Sequence, residues 1–272
     1  MQPRTSLHMT LRGKIAAAVL AIIFAAALFA NLLAPNSYDE QSREAVSAPP
    51  SHRFLLGTDE LGRDRFSRLL YGSRVSLLLA PAAALLSTLL AGLIGGLAGY
   101  LGGRCERSLM AATDLFLSLP WLFLLLGVRA VLPLNVEPAV SVTITFLLLG
   151  CLGWAQAARV VRTATRDLRD SAFLLQARIC GVARVRLFWR HLLPNLRPVL
   201  AAQFLISIPV FIISEANLGL LGLGVSEPLP SWGSMLRELE NYSEVLRSPW
   251  MLAPIALLLL VTVCFQVVLR TR

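Results

Sequence analysis

Lysine is almost absent from this 272-residue chain: the only one is Lys14. A phosphate-binding loop of the form G-x-x-x-x-G-K-[ST] needs a lysine behind its glycines, so this chain carries none and should not hydrolyse ATP by itself. Histidine is scarce too. His8, His52 and His191 are too scattered for a metal or triad constellation, and no G-x-S-x-G elbow accompanies them. The four cysteines, Cys105, Cys151, Cys180 and Cys264, include no C-x-x-C pair, which leaves neither a disulfide framework nor a zinc site supported. An enzyme within the membrane is therefore a poor reading. Charged residues are only 15% of the chain against 56% hydrophobic, and mean hydropathy is +0.67, outside the usual composition of a soluble domain.

What fills the chain instead is long apolar runs. A membrane span needs about 20 such residues. Six stretches qualify: Ile15 to Leu33, Val75 to Leu101, Leu109 to Leu132, Pro138 to Ala158, Leu200 to Leu221, and Trp250 to Leu269. The first follows Arg4, Arg12 and Lys14 as a signal peptide would, but its run exceeds the ~7 to 15 residues of a signal core, so it reads as a retained helix.

Charge orients the bundle. With the N-terminus in the cytoplasm, the inner segments hold 16 Lys and Arg against Glu106, Asp167 and Asp170, a balance of +13. The outer segments, with Arg129 counted at a helix end, hold 9 Arg and 11 acids, a balance of −2. The positive-inside rule favours this arrangement, with both termini in the cytoplasm. The basic residues lie beside spans and lack interleaved aromatics, so no nucleic-acid partner is expected.

Between the first two spans, Ala34 to Arg74 opens with a Pro-, Ser- and acid-rich connector. From Asp59 to Arg74, Arg63, Arg65, Arg68 and Arg74 mix with Phe66, Leu69 and Leu70 at helical spacing. That pattern suits an interfacial helix lying on the membrane, or a docking or gating element. Gly92 with Gly96, and Gly95 with Gly99, form overlapping G-x-x-x-G pairs, which predict close packing of the second span on another helix. Pro81, Pro120, Pro209 and Pro254 interrupt four spans. Trp232 and Trp250 suit the membrane interface.

Two acids lie in apolar stretches. Glu215, near the outer end of the fifth span with Asn217 two residues on, lines a path, braces a helix or snorkels; burial without a partner would cost it several kcal/mol. Asp114 lies near the start of the third span and suits capping or snorkelling.

The stretch from Leu174 to Asn195 is basic and Gly-punctuated, and it stands between apolar runs. Asp170 is placed to cap a short helix, and Gly181 to end it in a left-handed conformation about three turns later. Phe173, Leu174, Ala177 and Cys180 fall on one face of it, Gln176 and Arg178 on others. A second amphipathic segment, Arg184 to Leu193, is expected to stop at Pro194.

At these residues the chain resembles the membrane subunit of binding-protein-dependent ABC importers, in the peptide and nickel permease family. That family carries a cytoplasmic loop of the form E-A-A, three residues, Gly, then a basic helix ending in L-P-N. Ala177, Gly181, Arg190, His191, Leu193, Pro194 and Asn195 match, while the E-A-A triplet reads Leu175, Gln176, Ala177. Leu56 to Leu79 and Ser214 to Leu236 resemble the same family.

The resemblance implies an all-α, polytopic bundle of six transmembrane helices with the type I ABC importer permease fold. Residues 1–74 would form the N-terminal tail, first span and periplasmic segment, and residues 75–272 the transmembrane domain with coupling loop 159–197. It also implies that Leu175, Gln176, Ala177, Arg178, Gly181, Arg186, Arg190, His191 and Pro194 couple to an ATPase. Glu215 and Asn217 are candidates for the translocation path or gate.

No cofactor is expected in this chain, with ATP and Mg held by partner subunits. Those partners would be a second homologous permease chain, two ATPase subunits and a periplasmic or lipid-anchored substrate-binding protein, assembled in the lipid of a bacterial cytoplasmic membrane. Peptides are the first substrate expectation and nickel or other metal chelates the alternative. A self-contained secondary transporter or channel predicts internal symmetry around broken helices, which the sequence does not show. A purely structural anchor leaves the cytoplasmic motif unexplained.

Overall fold

The computed structural model describes residues 10–133 and 136–270, and the regular structure among them is helical. Arg4, His8 and Arg272, which bear on sidedness and on the histidine pattern, lie outside the described residues. Among the described residues five helices are long and apolar enough to cross a membrane, or six if one bent pair is a single span.

Helix α1 (Leu11–Leu28) starts at Thr10, whose hydroxyl accepts the N–H of Gly13 at 3.3 Å. An irregular segment follows, turning at Gly57 and Gly62 with φ of +66° and +74°. Helix α2 (Arg65–Leu101) has 37 residues, about 55 Å at 1.5 Å per residue, so it outruns a hydrocarbon core of ~30 Å. The expected interfacial helix is therefore corrected: Arg65 to Arg74 are the first turns of α2, and Arg63, Arg65 and Arg68 are buried rather than spread over lipid.

The third expected span is broken. Helix α3 (Gly103–Ser118) and helix α4 (Trp121–Val131) meet at 82°. Pro120 disfavours helical backbone at the residue before it, and Leu119 is accordingly extended at φ −85°, ψ 132°. Arg129, counted as an outer charge at a helix end, sits in the last turn of α4 and is fully buried. Helices α5 (Pro138–Leu152) and α6 (Trp154–Arg169) adjoin at Gly153.

After α6 come helix α7 (Ala172–Ile179), a short turn at Arg184–Leu187, a π-helical turn at Phe188–Leu192 and helix α8 (Arg197–Leu220). Pro209 lies inside α8 and Pro81 inside α2. Helices α9 (Trp232–Arg237), α10 (Tyr242–Arg247) and α11 (Ala253–Arg270) complete the chain.

Two compact units result: residues up to Ala80 with Pro133–Thr145 and Ile212–Arg272, and Pro81–Leu132 with Phe146–Phe211. In the first, α1 packs along α11, with Phe24 edge-on to Phe265 at 6.4 Å. In the second, the glycines of α2 admit α6. A Cβ on Gly95 would collide with the carbonyl oxygen of Ala158, and one on Gly99 would lie 2.6 Å from that of Arg162.

Candidate functional site

The second unit carries the segment that the sequence marks for docking. Helix α7 is two turns long, not three, and its N-cap is Ser171 rather than Asp170. Asp170 instead closes α6, because Ser171 is the residue whose backbone turns extended, at φ −71°, ψ 147°. At the other end Gly181 adopts φ +79°. The N–H of Val182 donates to the carbonyl of Ala177 at 3.2 Å and that of Gly181 to Arg178 at 3.1 Å, the paired bonds of a Schellman cap.

The inner face of α7 is Leu174, buried with Val161, Tyr100, Leu187 and Phe188, while Ala177 and Val182 pack at its edge. Phe173 and Cys180, expected on that face, are exposed, because two turns of helix bury only a narrow stripe. The Tyr100 hydroxyl donates to the carbonyl of Arg184 at 3.0 Å, and its ring lies 5.5 Å from that of Phe188, which ties α2 to the start of the next turn.

Pro194 does not stop the second segment. It lacks an N–H and its ring crowds the carbonyl four residues back, and the chain answers by widening. The N–H of Leu193 reaches the carbonyl of Phe188, five residues away, and the helix runs through Pro194 to Asn195. The Asn195 side-chain amide donates to the carbonyl of His191 at 2.6 Å. Leu175, Gln176, Arg178, Gly181, Arg186 and Arg190 are exposed, and Ala177, His191 and Pro194 are half-buried. Beside them Arg159 pairs with Asp114 at 2.5 Å and Arg162 with Glu106, so Asp114 joins α3 to α6 rather than capping.

The first unit holds a buried polar layer. Glu215 on α8 is fully buried, and its Oε2 accepts the Ser76 hydroxyl of α2 at 2.9 Å. The same hydroxyl accepts the N–H of Trp232 at 3.2 Å, and the Trp232 indole N–H donates to Ser73 Oγ at 3.0 Å. Trp232 is thus interior, not interfacial, since both its nitrogens find partners inside. Ser231 caps α9 through a reciprocal pair with Ser234. Gly219 and Gly233 touch backbone to backbone, and a Cβ on Gly219 would collide with Gly233. Asn217, two residues beyond Glu215, is half-buried.

A second layer is ionic. Arg63 pairs with Asp59 at 2.6 Å and Glu227 at 2.7 Å, Arg65 with Glu238 at 2.6 Å, and Arg68 with Glu227 at 3.3 Å and Glu238 at 3.6 Å. Burial pushes the Glu238 carboxyl above its ordinary range despite the pull of Arg65 and Arg68, and Asp59 adds to the rise. For Arg63 burial acts downward, but Asp59 and Glu227 outweigh it and hold its pKa above the ordinary value.

Residues 91–271 match the family described as binding-protein-dependent transport system inner membrane components. The chain belongs to this family. Its relatives include the oligopeptide transport system permease protein OppC of Haemophilus influenzae, 31% identical over 94% of this chain and 81% of that one. The di/tripeptide transport system permease protein DppC of Pseudomonas aeruginosa is 35% identical, over 90% of this chain and 80% of its own length. OppC of Mycobacterium bovis is 32% identical over 93% and 87%.

In this permease the nine residues assigned to coupling all fall in one continuous segment of the second unit, and Glu215 and Asn217 lie in the first. Sequence reasoning missed Ser73, Ser76, Asp59, Glu227 and Glu238 as partners. The Arg65–Glu238 pair spans 173 positions, so no local pattern announces it. The single available signal was the density of arginine after Asp59, in a region otherwise rich in acids.

Proposed function

We propose that this chain is one of two homologous permease subunits of an ABC importer for di- or oligopeptides, set in a bacterial cytoplasmic membrane with both termini in the cytoplasm. Two ATPase subunits on the cytoplasmic side bind ATP and Mg and supply the energy. A substrate-binding protein, periplasmic or lipid-anchored, delivers peptide to the outer side, where the ionic layer and Glu215 with Asn217 would lie. The names of the relatives support peptides as substrate, and the +13 to −2 charge split supports the orientation.

The observation that carries the reading is the capped α7, whose outer side stays uncovered while its inner side is fixed in the apolar cluster. A switch driven by nucleotide must contact the two pore states differently, and α7 with the turns to Pro194 would be that contact.

The test is purification of the chain with its co-purifying subunits and reconstitution in liposomes. ATP-dependent uptake of a labelled tripeptide in the presence of the binding protein is the expected result. Uptake by this chain alone, without ATPase subunits, would overturn it.

A further inference from the structure

The outer side of α7 presents Leu175 and Ile179, 43% and 85% exposed. Four residues apart on a helix, they are neighbours and form one apolar ridge. Around this ridge the charge is of one sign. From Ser171 to Arg197 there are five arginines, Arg178, Arg184, Arg186, Arg190 and Arg197, and no acid. All five are exposed or half-buried, and among the described residues none has an ion-pair partner. Three nearby carboxylates are already engaged, Asp114 by Arg159, Glu106 by Arg162 and Asp170 by Arg169, while Asp167 on α6 is exposed and, among the described residues, pairs with none of the five.

We infer that the partner surface receiving this helix is a cleft with an apolar floor under Leu175 and Ile179 and a carboxylate-lined rim facing Arg178 and Arg186. The inference rests on the reading of α7 as the contact with an ATPase subunit and specifies the chemistry of that subunit's cleft. An apolar floor is required because a polar one would leave its own groups without partners beneath two aliphatic side chains. An acidic rim is required because a basic or neutral one would leave the arginines uncompensated as water is excluded.

A lipid surface fits the same residues less well. A helix lying on a membrane turns a broad apolar face to the acyl chains, whereas on α7 Leu174 is turned inward onto Val161 and Leu187, and Leu175 and Ile179 outside are flanked by Gln176 and Arg178. Leu175 and Ile179 form a narrow ridge, with the exposed Phe173 on a different side of the helix, so no continuous apolar plane is presented and a groove suits the ridge better.

The experiment uses the full complex with its ATPase subunits, solubilised and immobilised through the permease, and measures ATPase retained against salt concentration. Ile179→Asp should weaken retention about tenfold or more at every salt concentration, as expected for a buried aliphatic anchor, and Ile179→Leu should retain it. Arg178→Glu should weaken retention most at low salt. Unchanged retention in Ile179→Asp would overturn the apolar floor, and unchanged retention in Arg178→Glu the acidic rim.

Gly181→Val keeps the two ideas apart. If it uncouples hydrolysis from peptide while Ile179→Asp binds normally, only the cleft chemistry fails. If it leaves coupling intact, the contact itself is misassigned. The lipid alternative is tested on a chain with Cys105→Ser, Cys151→Ala and Cys264→Ala, carrying bimane at Cys180 in ATPase-free nanodiscs. No quenching by brominated lipid is expected, and strong quenching would overturn the inference.

Discussion

Ser76 donates to the carboxylate of Glu215 at 2.9 Å with both residues fully buried, and the same hydroxyl accepts the backbone N–H of Trp232. One serine thereby joins α2, α8 and α9. Ser76→Ala leaves two buried polar groups without this partner and should cost about 1 to 3 kcal/mol, whereas Glu215→Gln keeps an acceptor oxygen and should cost less. Thermal unfolding in detergent, followed by tryptophan emission, separates them. A smaller loss for Ser76→Ala than for Glu215→Gln would contradict the relay.

Gly181→Val forces a β-branched residue to φ +79°, at about 1 to 2 kcal/mol or more. A Cβ there meets nothing within 4 Å, so the penalty is backbone strain and not collision. The variant should insert and assemble at wild-type levels while peptide-stimulated hydrolysis falls at least several-fold. Reconstitution at matched subunit content measures it.

Two glycines in apolar helices should behave oppositely. Gly127→Ala on α4 meets open space and should be neutral or stabilise by about 0.5 to 1 kcal/mol through reduced backbone entropy. Gly95→Ala drives a methyl onto the Ala158 carbonyl and should cost about 1 to 3 kcal/mol or more. Comparing the two melting temperatures checks this, and equal values would mean α2 and α6 are not in backbone contact.

The Glu238 carboxyl titrates higher in the folded protein than when unfolded, since burial outweighs Arg65 and Arg68. Its contribution to stability is therefore fully present below its unfolded pKa and is lost as pH rises through its folded pKa. Glu238→Gln removes that loss. Relative to wild type, the glutamine variant should gain in melting temperature as pH rises from about 4 to about 8. A difference that moves the other way would show that the arginines dominate the site.

Sidedness has its own check. In the chain retaining only Cys180, which is exposed on the α7 loop, an impermeant maleimide should label permeabilised cells and spare intact ones. Labelling of intact cells would reverse the orientation.

Much of the fold is legible in the sequence, for reasons that differ by residue. The apolar runs announce the spans, and Pro120 announces the break at Leu119, though the angle of 82° depends on packing. Gly181 is readable because only glycine is comfortable where the chain must turn left-handed after Ile179. Trp232 misleads because its amphipathic ring suits an interface and a satisfied interior equally, and Ser73 and Ser76, which decide the matter, are more than 150 positions away. The arginines from Arg63 to Arg68 mislead for the same reason: helical spacing is local, while Glu227 and Glu238 are not.

The wide turn at Phe188–Leu192 holds one residue more than an α-helical turn would. Deleting a single residue there would leave every apolar run as long and as apolar as before. It would also wind the turn back to 3.6 residues, with the downstream helix facing much as before. What would return is the clash of the Pro194 ring with the carbonyl four residues back, which the wide turn relieves. Hydropathy would register no change, and the lesion would be one of fit at a single turn.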